Sequence, residues 1–126
     1  MNHGLTIPEQ QAFVRAAHRL IDVWQIADRE SMLLLGLTRD EWLSLNADPS
    51  SCCFSDEQIF RVSALIGVHA ALMVIYSGDV SRVARWIMAE NSGTITQGRK
   101  PLIAMLEEGV PMMNRLRAYL EAEVAS

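Results

Sequence analysis

"ARWIMAENSGTITQGRKPLIAMLEEG" (residues 84–109) divides the second half of the chain into two helices joined by a polar loop. The residues up to Glu90 have the apolar spacing of a helix end. A polar segment with Gly93 and Gly98 follows, and Pro101 then opens another apolar run, at a position where the first turn of a helix accepts proline. The pattern therefore predicts helix, loop and helix. The loop is either a plain connection between two helices or a recognition surface carried on a rigid scaffold, and we favour the second interpretation.

Helical apolar spacing recurs along the whole chain, and no strand-like alternation is present. Thr38 with Glu41, and Ser55 with Gln58, have the pattern of a capping box, which marks the start of a helix. Gly36 provides a stop after an earlier helix. The helices are predicted to begin near Pro8, Asp28, Thr38, Ser55, Val80, Pro101 and Pro111.

These helices predict an all-α fold, a helical bundle in one compact domain. Residues 1–76 are expected to form an N-terminal helix-turn-helix-like unit with a long central helix, and residues 77–126 a C-terminal helical unit packed on it. The apolar run 62–76 is shorter than the ~20 residues that a bilayer requires, so it predicts a buried helix. Because the helix over 59–76 is apolar on almost every side, we expect a partner subunit to cover part of it in a homodimer.

Composition restricts the function. The 126 residues carry a net charge of -4, which argues against a general nucleic-acid coat protein, because phosphate contacts need clustered Lys and Arg. The adjacent Cys52 and Cys53 are the only cysteines and are expected to be free thiols. With no secretion leader in the sequence, the expected location is a reducing bacterial cytoplasm.

Catalytic, metal-binding and cofactor-binding patterns are not found in the sequence. His3, His18 and His69 have no Cys, Asp or Glu at the spacing of a metal site or a catalytic triad, and His69 is expected to be a core or interface histidine. The adjacent carboxylates at 40–41 and 107–108 are predicted to point apart into solvent. No glycine-rich phosphate loop occurs. We therefore expect no catalytic residue, no metal and no cofactor, and the protein is not expected to be an enzyme.

Residues 28–47 have the layout of a helix-turn-helix, with Gly36 in the turn. The second helix would present Arg39, Ser44 and Asn46 to DNA. However, residues 28–48 hold five acidic side chains against two basic ones. The phosphates of DNA repel this excess of negative charge. We expect weak duplex binding, in the non-specific range of about 10⁻⁴ to 10⁻⁶ M.

The order of the motifs resembles the antitoxins of the Xre/MbcA/ParS type over residues 16–124. The matching segments are "LLGLTRDEW", "EQIFRVSALIGVHAALMVIYSGD", "VARWI", "GRKP" and "EEG". The most specific matches are Ala84, Trp86, Ile87, Asn91, Gly98, Pro101 and Gly109. Two features depart from the family: Glu90 stands where a proline is usual before the loop Asn, and the reading helix carries Asp40 and Glu41 where Arg and Thr are typical.

The resemblance implies an antitoxin that neutralises a RES-domain toxin, an NAD-consuming enzyme, by covering its active-site cleft with the C-terminal unit. It also implies a homodimer and repression of its own operon. Leu116, Leu120 and Val124 are expected to anchor the last helix, leaving polar residues for the toxin. The expected toxin contacts are Asn91, Gly98, Arg99 and Lys100 in the loop and Arg117, Glu121, Glu123 and Ser126 in the tail. The alternative is a free-standing helix-turn-helix transcriptional regulator.

Overall fold

The computed structural model describes residues 4–91, 93 and 95–126. Within these residues the chain forms seven α-helices and one short 3₁₀ turn at Pro49–Ser51, with no strand. The helices are α1 (Ile7–Trp24), α2 (Asp28–Leu35), α3 (Arg39–Ala47), α4 (Asp56–Ile75), α5 (Val80–Met88), α6 (Pro101–Glu108) and α7 (Val110–Ala125). The predicted all-α class is confirmed.

The capping boxes that the sequence predicts are present in the structure. The hydroxyl of Thr38 accepts the backbone N–H of Glu41 at 3.1 Å, and the hydroxyl of Ser55 accepts that of Gln58 at 3.1 Å. The Glu41 and Gln58 side chains accept the N-cap N–H groups in return. A capping side chain stabilises a helix by about 1 kcal/mol, so these local sequences determine where α3 and α4 begin.

The first two helices begin at or next to the predicted residues, with caps that the sequence interpretation did not identify. A third capping box, Thr6 with Glu9, begins α1 before Pro8. Asp28 is the first residue of α2, and Ala27 occupies the cap position without a side-chain hydrogen bond. A carboxylate in the first turn still stabilises the helix, because it faces the positive end of the helix dipole.

Helix α4 crosses the centre of the molecule, with α7 packed along it and α1 on another side. Its core positions are at most 1 % exposed: Val62, Ala64, Leu65, Val68 and Leu72. Among the described residues α4 is the one helix long and apolar enough to cross a membrane, with a mean hydropathy of 1.7. A core helix of a globular protein passes the same test, and 44 % of that window is buried inside this fold.

The covering of α4 bears on the expected homodimer. Ala64, Val68 and Ala71, on one apolar side of the helix, are buried inside the chain. Helices α1 and α7 of the same chain therefore supply much of the cover that this apolar helix needs. Phe60 at one end of α4 and Val74 at the other are 68 % and 63 % exposed. The homodimer remains a prediction, and these two ends are what a second subunit could cover.

A hydrogen bond inside the fold holds the imidazole ring of His69 in place. The fully buried Trp24 donates its indole N–H to Nδ1 of His69 at 3.0 Å. The half-buried ring thus has a satisfied polar contact with the core, as the sequence predicts. Burial lowers the pKa of His69 below its ordinary value of 6.5.

The lowered pKa of His69 predicts a pH-dependent stability. The unfolded chain binds this proton more readily than the folded chain, so the contribution is fully present above about pH 6.5 and is lost as the pH falls toward the folded pKa. We expect the free energy of unfolding in urea to be lower at about pH 5.5 than at about pH 7.5. His69→Gln, which keeps an acceptor but does not titrate, should reduce that difference. An unchanged difference in the variant would assign the pH dependence to other groups.

Candidate functional site

The loop between α5 and α6 is held in shape by its own polar groups. The side-chain oxygen of Asn91 accepts the backbone N–H of Gly93 at 2.8 Å, and the backbone N–H of Asn91 donates to the carbonyl of Arg99 at 3.3 Å. The hydroxyl of Thr96, fully buried, donates to the carbonyl of Asn91 at 3.3 Å. Gly98 has φ +83, a conformation that side-chain-bearing residues rarely adopt. A backbone hydrogen bond therefore joins Asn91 and Arg99 across the loop.

Arg99 ties this loop to the end of α6. Its guanidinium pairs with Glu107 at 2.9 Å and with Glu108 at 2.5 Å, and Arg115 of α7 pairs with the other oxygen of Glu108 at 2.5 Å. The hydrogen bond from Arg99 lowers the pKa of Glu108, and Arg115 adds to the effect. Glu107 and Glu108 do not point apart, as the sequence interpretation expected. They converge because the loop folds back over the end of α6.

The ion pairs change what Arg99 can do. Two carboxylates already neutralise its charge, so the side chain positions the loop rather than presenting a free cation. Lys100 is exposed at the start of α6 and has no ion-pair partner in the described ranges. Of the two basic residues predicted as toxin contacts beside the loop, only Lys100 offers an unpaired charge.

Replacing Arg99 should loosen the loop without unfolding the bundle. Arg99→Met removes both ion pairs and the 2.8 Å hydrogen bond from its side chain to the Thr96 carbonyl. We expect faster amide hydrogen exchange in residues 95–99, with exchange in α4 unchanged. Arg82→Met is the matched control, because it removes the exposed pair with Asp79 on α5. If Arg82→Met also accelerates exchange in the loop, the effect is not due to Arg99.

The tail of α7 is less free than predicted. Leu116 and Leu120 are buried, but Val124 is 40 % exposed, so it does not anchor the helix. The reason is that the last turn of α7 extends past the body of the bundle. Arg117 and Glu121, expected to be free, pair with each other at 3.2 Å.

Close packing on α4 further restricts Arg117. A Cβ placed on Gly67 of α4 would lie 2.5 Å from Nε of Arg117, so this guanidinium lies across a glycine. The Ser126 hydroxyl donates to the Glu123 carbonyl at 2.8 Å. The carboxylate of Glu123 is exposed and has no partner within the described part of the chain. Among the side chains of the four predicted tail contacts, it is the one charged group without a partner in the described residues.

An apolar cleft that the sequence interpretation missed lies beside this tail. It has a volume of about 420 Å³ and opens between the ends of α4 and α7 and the middle of α5. Val74 and Tyr119 on its walls are 63 % and 44 % exposed, and Trp86 is half-buried. Glu123 and Val124 complete the wall on the α7 side. The available signal was Tyr119, an aromatic residue off the Leu116–Leu120 stripe of α7, on a side of the helix that the bundle does not fully cover.

The structure separates the two predicted sets of contacts. The loop set is linked to Arg115 of α7 through Glu108. Glu121, Glu123 and Ser126 of the tail set lie toward the end of α7, whereas Arg117 is only two residues beyond Arg115. Arg115 and Ala125 are ten residues apart, which is roughly 15 Å along a helix. A partner that touches both sets must extend along α7.

The predicted DNA-reading residues are not equally available. Arg39 and Ser44 are exposed on α3. The Asn46 side chain donates to the Trp42 carbonyl at 2.9 Å, and its oxygen lies 3.2 Å from Nε2 of His18 on α1. These contacts hold the amide against α1 and α3, which disfavours the orientation needed for the bidentate contact that reads adenine.

The turn before α3 is anchored to α4. Gln58 donates to the Gly36 carbonyl at 2.9 Å, and Arg61 donates to the Leu34 carbonyl at 3.3 Å. A Cβ at Gly36 would lie 3.1 Å from the Arg61 side chain. The α2–α3 hairpin is therefore fastened to the central helix through its turn.

The cysteines and acidic groups form no metal centre in residues 4–91, 93 and 95–126, where no group of three candidate ligands occurs. Cys52 and Cys53 are free thiols. Burial raises the pKa of the Cys52 thiol, which keeps it protonated and poorly nucleophilic.

No protein family, curated protein or solved structure matches this chain. The resemblance to the antitoxins therefore rests on its motif residues, whose positions in the fold are defined. Trp86 lines the apolar cleft, Asn91 and Gly98 shape the loop, and Pro101 is buried in the first turn of α6.

Proposed function

We propose that this protein is an antitoxin that neutralises a RES-type, NAD-consuming toxin by covering its active-site cleft. Two arguments support the proposal: the resemblance of the motifs at residues 84–109, and the half-open apolar cleft beside the exposed end of α7. The cleft is the observation that carries the proposal. The proposed partner is a macromolecule, and the proposal gives no role to a catalytic residue, a metal or a cofactor.

The apolar cleft favours a protein partner because its walls are costly to leave in water. Val74, Tyr119 and Val124 lie exposed around one opening, whereas isolated apolar residues would need no explanation. Tyrosine and tryptophan dominate the binding energy of protein interfaces, and Tyr119 and Trp86 flank this opening. We assign the centre of the interface to the cleft, with the loop at its margin.

Charge then orients the partner. The unpaired carboxylate of Glu123 stands on the wall of the cleft. A toxin cleft that binds the pyrophosphate of NAD presents cationic groups, and a carboxylate entering it would make charge-assisted hydrogen bonds. Arg117 and Glu121 compensate each other, so Glu123 carries this contact. Lys100, with its exposed ammonium, supplies the contact of opposite sign near the loop.

Repression of its own operon is a secondary part of the proposal. The anchored α2–α3 hairpin supports it, while Asp40, Glu41 and the engaged amide of Asn46 weaken it. For the same reason we place the free-standing transcriptional regulator second. The homodimer and the cytoplasmic location are proposed with the antitoxin function.

Coexpression with the product of the neighbouring reading frame tests the proposal. We expect that product to be a RES-domain protein that arrests growth alone, copurifies with this chain and is silenced by it. A neighbouring RES-domain protein that arrests growth equally in the presence of this chain would overturn the proposal.

A further inference from the structure

A second cleft, of about 440 Å³, lies between α1 and α4. It shares no lining residue with the apolar cleft at the end of α7. Arg15 and Arg19 of α1 and His69 of α4 stand around it, and Leu20 and Ile66 contribute apolar surface. Its lining is therefore cationic and apolar together, in a chain whose net charge is -4.

The positive charges of Arg15 and Arg19 are not neutralised by any carboxylate in the described residues. They lie four residues apart on α1, where like charges repel each other. Both are exposed, and neither has an ion-pair or hydrogen-bond partner in the part of the chain that the structure describes. By contrast, Arg61 and Arg117 are each paired with a carboxylate on their own helix. An added anion between Arg15 and Arg19 would relieve the repulsion.

His69 supplies a third donor at the same cleft. Trp24 donates to Nδ1, so the neutral ring carries its proton on Nε2. Because Trp24 is fully buried, the Nδ1 edge faces the core, and Nε2 lies on the other edge of the ring. Among the described residues Nε2 has no hydrogen-bond partner. The Trp24 contact thus selects the tautomer that can donate to a ligand.

We propose that this cleft binds the phosphate group of a small phosphate ester, between the guanidinium groups of Arg15 and Arg19 and the imidazole N–H of His69. Planar guanidinium forks match phosphate oxygens, and three donors suit a group with three free oxygens better than a carboxylate with two. The ligand is an ester rather than free phosphate because the cleft is larger than one phosphate and has Leu20 and Ile66 on its apolar side.

Calorimetric titration of the intact protein with phenyl phosphate, inorganic phosphate and phenol tests the proposal. Phenyl phosphate should bind saturably and more tightly than inorganic phosphate, and phenol should not bind. The double variant Arg15→Gln/Arg19→Gln should raise the dissociation constant for phenyl phosphate by at least about tenfold. The double variant Arg29→Gln/Arg85→Gln removes the same charge from exposed arginines that do not line this cleft and should bind almost as the parent does.

Three results would overturn the proposal: no saturable binding of phenyl phosphate at millimolar concentration, equal binding of phenol, or equal weakening in both double variants. If Arg15→Gln/Arg19→Gln does not fold, amide chemical shifts of the parent protein decide instead. Phenyl phosphate must then shift the resonances of Arg15, Arg19 and His69, and shifts confined to other residues would contradict the assignment.

Discussion

The double variant Val74→Ser/Tyr119→Ser is expected to weaken toxin binding on the order of a hundredfold while the bundle stays folded. Both side chains are largely exposed in the free protein, so their loss leaves no cavity in the core. In the proposed complex they are buried, and losing that burial costs about 3 kcal/mol in all, at about 1.4 kcal/mol per tenfold in affinity. The dissociation constant of the purified complex measures the effect.

The matched control for this variant is Leu33→Ser/Leu43→Ser. These leucines are also exposed, 58 % and 55 %, but lie on α2 and α3. They should leave the affinity for the toxin unchanged. Equal weakening by the two pairs of substitutions would mean that the apolar cleft is not the centre of the interface.

Deleting residues 121–126 is expected to release most of the toxin's NAD-consuming activity. All six residues are exposed, and the deletion stops after Leu120, the last buried residue of α7. The truncated protein should therefore keep its helical circular dichroism. It loses the Glu123 carboxylate proposed to enter the toxin, together with Val124 on the wall of the cleft.

A control separates the tail itself from the ion pair that the deletion also breaks. Arg117→Gln/Glu121→Gln removes the 3.2 Å pair and keeps the remaining tail. This variant should suppress the toxin almost as the intact chain does. If the truncated protein still suppresses the toxin fully, the tail does not enter the active site, and the loop at 91–100 becomes the main contact.

Local signals in the sequence predicted the helices well. The capping boxes at Thr38 and Ser55 involve residues three apart, and the stop at Gly36 depends on its own backbone, with φ +72. The inward positions of Trp42 and Leu45 follow from helical spacing alone. Such features require no knowledge of the rest of the fold.

The geometry of the candidate site depends on contacts between different helices and the loop. The apolar spacing within one helix cannot predict such contacts. Arg99 meets Glu108 only because the loop folds back over the end of α6. Asn46 is engaged by His18, which lies 28 residues earlier in the sequence. Val124 fits the apolar stripe of α7 but lies beyond the body that covers Leu120. The sequence thus shows on which helix or loop each candidate residue lies. Its hydrogen-bond and ion-pair partners depend on how the helices pack.

The most direct measurement of the central claim is the rate of NAD consumption by the neighbouring RES-domain protein as this chain is added. The proposal predicts that the rate falls linearly and reaches background at a fixed molar ratio, because covering the active site requires a stoichiometric complex. An unchanged rate in the presence of excess folded protein would contradict the proposed function.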